Sequence, residues 1–87
     1  MDEIEKGKLK VLIKMILIMK YPCEVTARQM SDFINSYEWG FRTPITPRLI
    51  SKLLLVELKK HDKHFMDNIN QRKQFNYNLY SLSSLED

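Results

Sequence analysis

From Leu9 to Met19 the chain is aliphatic except for Lys10 and Lys14, and no other stretch restricts its folding so strongly. Wound at 3.6 residues per turn, a helix from about Lys8 to about Lys20 gathers Leu9, Leu12, Ile13, Ile16 and Leu17 on one face. Val11, Met15 and Ile18 are left on its flanks. A helix apolar on more than one side is either central to a core or shared with another subunit. Eighty-seven residues make one small domain with little core to surround such a helix, so Val11, Met15 and Ile18 predict a homodimer seam. Lys14 interrupts the run and Lys20 closes it well short of a bilayer span, so neither a signal segment nor a membrane partner is expected.

Proline disfavours helical geometry in the residue before it, so Tyr21-Pro22 ends this helix. Cys23-Glu24-Val25 is extended and long enough for one edge strand at most. Thr26-Ala27-Arg28-Gln29 matches a capping box, in which the threonine hydroxyl and the glutamine amide satisfy each other's backbone N–H groups. A second helix therefore starts here, turns Ala27, Met30, Phe33 and Ile34 inward, and ends near Ser36. Asn35 to Ile45 is irregular. Trp39 and Phe41 are expected to plug a gap between helices, with Gly40 between them at positive φ. The other use for these two rings is stacking of single-stranded bases. Arg42 and Thr43 lie just ahead of the next helix, within reach of a phosphate.

Thr46 to Lys60 predicts that next helix, with Thr46 as its N-cap and Pro47 at the first helical position, where its missing N–H costs nothing. Ile50, Leu53, Leu54 and Leu58 share one face; Arg48, Ser51, Lys52, Leu55 and Lys59 share the other. Three cations, a hydroxyl and one aliphatic group form either a solvated basic face or a surface suited to phosphates and base edges. The charge distribution bears on that choice. Net charge is +3, but Trp39 to Ser81 holds eight cations and three anions, a net of +5, which leaves −2 elsewhere. Positive charge concentrated in the second half points to a polyanion met by that half.

After Lys60 the polar His61-Asp62-Lys63-His64 leaves the helix, and Phe65 to Ile69 is expected to be a strand. Asn70 to Gln74 is wholly polar and reads as a hairpin tip, because Phe75-Asn76-Tyr77-Asn78-Leu79 then alternates with period two and Tyr80-Ser81-Leu82 continues it. Met1 to Lys6 and Ser83 to Asp87 are expected to fray. Cys23 is the one cysteine, which excludes an intrachain disulfide and a thiolate cluster and suggests a reducing, cytoplasmic setting. Its expected role is a small buried hydrophobe rather than a redox sensor. His61 and His64 lack a clear third ligand, no nucleophile signature is present, and only Gly7 and Gly40 exist to build a phosphate loop. Neither an enzyme, nor a metal, nor a cofactor is expected.

The order is helix, short extended piece, helix, loop, helix, hairpin. Val25 to Ile34 reads like the first helix of a helix-turn-helix, Ile45 to Leu54 like the second, and Arg72 to Leu82 like a wing. The chain resembles the winged helix-turn-helix DNA-binding domain over residues 9–82. The fold class so implied is α+β and mostly helical, a three-helix winged helix-turn-helix with a C-terminal β-hairpin wing in a single domain, 1–87. The resemblance implies sequence-specific binding of double-stranded DNA by a small transcription regulator, with the 46–60 helix in the major groove and the 70–74 wing tip on the backbone. The candidate contacts are Arg42, Thr43, Thr46, Arg48, Ser51, Lys52, Lys59, Arg72 and Lys73. Two features depart from the compact motif. The link between the second and third helices is about ten residues rather than three or four, and Glu57 falls among inward positions beside Leu53-Leu54-Leu55-Val56. Either Glu57 meets a cation or the helix packs differently. A protein-interaction module docking through Leu55 is the alternative, and single-stranded nucleic acid stacked on Trp39, Phe41, Tyr77 and Tyr80 is a third.

Overall fold

The computed structural model describes residues 2–85; Met1, Glu86 and Asp87, the ends of the two expected frayed segments, lie outside the described residues. Helix α1 (Glu3–Lys20) begins five residues before its expected start. The Asp2 carboxylate accepts the Glu5 N–H at 2.8 Å, and Glu3 and Glu5 place negative charge on the first turn. Such a cap stabilises a helix by about 1 kcal/mol, which orders residues whose polarity reads as fraying. Leu9, Leu12, Ile13, Ile16 and Leu17 are all buried, as their spacing predicts. Burying each contributes roughly 2 kcal/mol, so this face outweighs any single cap.

Strand β1 (Val25–Thr26) leads into α2 (Ala27–Asn35), and both bonds of the expected capping box are made, at 2.8 and 3.1 Å. Ala27, Met30 and Ile34 are buried, and Phe33 is half-buried against the core. Cys23 is exposed rather than buried, because it lies in the short link ahead of β1 and off the core face. The link from α2 to the next helix is long but clamped. Asn35 donates to and accepts from the backbone of Ile45, at 2.7 and 3.0 Å. The buried Glu5 carboxylate accepts the Arg42 N–H at 3.0 Å, and Lys8 Nζ donates to the Trp39 carbonyl at 3.2 Å. Trp39 and Phe41 pack against the core around Gly40, whose φ is +82°.

Next comes an unbroken helical rod: α3 (Pro47–Lys52), a π-helical stretch (Leu53–Glu57) and α4 (Leu58–His61). Thr46 accepts the Leu49 N–H at 3.1 Å, and Ile50, Leu53, Leu54 and Leu58 are buried as their spacing predicts. Within the π-helical stretch the Leu58 N–H reaches back five residues to Leu53, a wider turn that changes the facing of the residues beyond it. Glu57 meets a cation: Lys6 Nζ donates to its carboxylate at 2.8 Å.

The expected strand from Phe65 to Ile69 is instead α5 (Lys63–Asp67), with only Ile69 extended. Asp62 starts that helix by accepting the Phe65 N–H at 3.1 Å, and the turn carries Phe65 into the core. Lys10 holds the same carboxylate, and the ammonium groups of Lys10 and Lys14 lie 5.4 and 5.9 Å from the Phe65 ring. Strands β2 (Ile69–Gln74) and β3 (Tyr77–Leu82) pair antiparallel from Ile69↔Leu82 to Gln74↔Tyr77, and β1 pairs with the other edge of β3. The sheet order is β1-β3-β2. The hairpin therefore turns at Phe75-Asn76, and the tip expected at 70–74 is strand. Asn70 to Lys73 are exposed, so a polar run does not mark a loop in a hairpin that projects beyond the core. Ser83, from the expected tail, is tied by its N–H to the Asn68 carbonyl at 2.9 Å. The fold is α+β, mostly helical, with a three-stranded antiparallel sheet. Among the described residues no helix is long and apolar enough to cross a membrane.

Lys6 lowers the Glu57 carboxyl below its ordinary range, and Lys10, helped by the Phe65 N–H, lowers that of Asp62. For both groups the unfolded chain binds more protons as pH falls through about 4, so the stability that they contribute is present above that range and lost below it. The double variant Glu57→Gln, Asp62→Asn is expected to be less stable at pH 7 and to lose less on acidification from pH 5 to pH 3. Urea unfolding midpoints across that range test this, and parallel curves for the two proteins would remove the ion pairs from the acid response.

Candidate nucleic-acid interface

The rod presents Arg48, Lys52, Lys59 and Lys60 to solvent, and Lys63 continues the positive surface past its end. None of these five forms an ion pair among the described residues. Two acids of this region, Glu57 and Asp62, are taken up by Lys6 and Lys10 of α1, so the first half of the chain neutralises anions of the second. The rod's outward cations are left without an ion pair among the described residues, which favours contact with phosphates.

Not every expected contact residue shares that surface. Ser51 and Leu55 are half-buried on the side turned to the hairpin: Ser51 lines a cleft with Pro47, Tyr77 and Asn78, while Leu55 lines a groove with Gln71 and Tyr80. The Thr46 hydroxyl is occupied in capping α3. Arg42 and Thr43 are exposed on the clamped link, where the Arg42 N–H is bound to Glu5 of α1. Arg48 and Lys52 are thus exposed on the first turns of the rod, Lys59 lies past the π-helical stretch on the groove that Leu55 lines, and Arg42, Thr43 and Thr46 lie on the approach to the rod.

The expected pairing of Arg72 with Lys73 is undone by strand geometry. Successive side chains of a strand point to opposite faces. The register places Lys73 and Gln71 on the face that carries Asn78 and Tyr80, which borders the rod, and Arg72 on the other. There Arg72 makes a two-pronged ion pair with Glu24, at 2.7 and 2.9 Å, which raises the guanidinium pKa, and donates also to Gln74 at 3.2 Å. One of the two cations is committed within the chain and the other is exposed. Tyr80 is wholly buried, and burial raises its phenol pKa, an effect that the neighbouring Ser51 and Asn78 side chains oppose.

Side chains beyond the expected set line the same region. Asn76, Tyr77 and Asn78 of the hairpin and Arg28 of α2 border the cleft beside Pro47 and Ser51. Phe75 stands at the tip, 84% exposed, with its ring 6.4 Å from that of Tyr77. Its φ is +55°, a left-handed conformation uncommon for any residue but glycine, asparagine or aspartate and strained for a bulky one. The sequence signal for this turn is Asn76, a turn-forming residue that the period-two alternation masks. His61 ends α4 and His64 lies in α5; among the described residues no group of three His, Cys, Asp or Glu side chains is placed to hold a metal.

Comparison with protein-family models, with curated proteins and with solved structures finds no match.

Strain retained at an exposed position gives Phe75 a direct test. Phe75→Gly is expected to raise the thermal midpoint by several degrees, since relief of roughly 1 kcal/mol shifts a domain of this size by about 4–8 °C. A lower midpoint in a calorimetric scan would show that the ring supports the hairpin rather than straining it.

Proposed function

We propose that this chain is a winged helix-turn-helix module that binds double-stranded DNA in a sequence-specific manner as a small cytoplasmic transcription regulator. The observation that carries the proposal is the rod from Pro47 to His61, whose exposed cations Arg48, Lys52 and Lys59 form no ion pair among the described residues, with Lys59 beside a hairpin bearing Lys73. Element order and the sheet order β1-β3-β2 support the family likeness. Arg48 and Lys52, in the first turns of the rod, are assigned to base edges and adjoining phosphates. Lys59 and Lys73 are assigned to the backbone. Asn76 and Asn78 add neutral donors at the hairpin, and Phe75 adds an apolar tip of the kind that wedges against a sugar or a base step.

Docking to a protein through Leu55 has less support, because Leu55 packs against the core and the hairpin instead of standing out from the rod. Stacking of single-stranded bases loses most of its candidates in the same way. Tyr80 is buried, and Trp39 and Phe41 are half-buried against the core.

An amide chemical-shift titration with duplex DNA at two salt concentrations tests the function, with shifts expected along Arg48 to Lys59 and at the hairpin tip. Arg48→Ala or Lys52→Ala is expected to cost a preferred duplex about 1–3 kcal/mol more than random duplex. Lys73→Ala is expected to weaken all duplexes alike and to flatten the dependence of log affinity on log salt by about one unit. Arg72→Ala is expected to change that slope little, since Glu24 already holds the guanidinium. If Arg48 and Lys52 are both removed without effect on any duplex, DNA recognition by the rod is wrong.

A further inference from the structure

The outward face of α1 carries a stripe that the monomer does not use. Ile4, Val11 and Ile18 are 74%, 65% and 47% exposed and recur every seven residues, which keeps them within about 40° of one another around the helix. Gly7 adjoins this stripe in a helix interior, where glycine costs about 1 kcal/mol relative to alanine. An added Cβ there would meet nothing within 4 Å, so none of the described residues requires a glycine at that position. Met15, half-buried, lies on the other side of Val11.

From this face we infer that two copies of the chain associate through α1 in antiparallel fashion, about a two-fold axis at Val11. That operation places Val11 against Val11 of the second copy, Ile4 against Ile18, and Gly7 against Met15. The glycine supplies the space that the methionine fills, which accounts for a residue the monomer leaves unexplained. A parallel arrangement would set glycine on glycine and methionine on methionine.

Lys8 and Lys14 are the two cations that this symmetry would bring together, and each is already drawn aside. Lys8 donates to the Trp39 carbonyl and lies 6.0 Å from the Phe41 ring, and Lys14 leans over Phe65. The seam is left to aliphatic side chains. Straight helices with a seven-residue stripe meet at about 20°, and 18 residues give a contact line of about 27 Å. An open groove beside the stripe, lined by Lys10, Met19, His64 and Phe65, widens the surface that a second copy can cover.

This inference does not depend on what the rod binds. Sedimentation equilibrium of the full chain at about 100 μM is expected to give a dimer, and Val11→Glu, which sets two carboxylates against each other on the axis, is expected to give a monomer with unchanged circular dichroism. Direction is read by disulfide trapping in a Cys23→Ser background. Ile4→Cys mixed with Ile18→Cys is expected to yield a crosslinked heterodimer under mild oxidation, whereas neither variant alone does so. A monomeric wild-type protein at that concentration, or efficient crosslinking of Ile4→Cys to itself, would overturn the proposal.

Discussion

Leu9, Ile13, Ile16 and Leu17 have at most 2% of their surface exposed, and their cover is drawn from the rest of the chain: α2, the helical rod, α5 and β3 all contribute to the same apolar cluster. Among the described residues the buried apolar side chains form this one cluster, as expected for a domain of this size. The position of the rod depends on that cover, with Ile50, Leu53, Leu54 and Leu58 completing it from one side and the opposite side left to solvent and the hairpin. A substitution that opens a cavity under Ile13 or Leu17 would therefore unseat the rod as well as α1, and its effect on binding would be indirect.

Charge is arranged around this core in a complementary way. The two lysines that α1 sends toward the rod and α5 reach Glu57 and Asp62, and the Glu5 carboxylate of the same helix accepts the Arg42 N–H of the long link. These contacts are partly exposed and add little to stability singly. Their larger consequence is electrostatic, because each acid engaged beside α1 is one fewer anion to offset Arg48, Lys52, Lys59, Lys60 and Lys63. Glu24 acts in the opposite sense on Arg72. The proposed DNA surface is thus set by which cations lack internal partners more than by which are present.

Helical periodicity makes much of this fold legible in the sequence. The inward residues of α1 and of the rod, the capping box at Thr26 and the cap at Thr46 rest on local rules that tertiary packing reinforces. Sequence and structure part where a longer-range contact or a turn decides the outcome. Phe65 to Ile69 is apolar enough for a strand, yet Asp62 caps a helix there and Lys10 holds that cap. The run Asn70 to Gln74 is polar because the hairpin stands clear of the core, so composition does not distinguish strand from tip. Arg72 and Lys73 are neighbours in sequence and lie on opposite faces for that reason. Cys23 reads as buried by residue type alone, and its position in a link overrides the type.

Two residues break local rules without serving the core. Gly7 weakens the second turn of a helix where a side chain would meet none of the described residues, and Phe75 holds a bulky ring in left-handed backbone with most of its surface in water. Consistent local choices are what give a sequence one structure, so an uncompensated violation points to a demand from outside the monomer. The two demands differ in kind: an absent side chain suits close approach by a helix, whereas an extended ring on a projecting turn suits insertion into a groove. The proposed second copy at α1 and the proposed nucleic acid at the hairpin and rod would meet these demands separately. A two-fold axis through Val11 would also duplicate the rod and relate two DNA-reading surfaces by the same operation, which is the symmetry that a palindromic site presents.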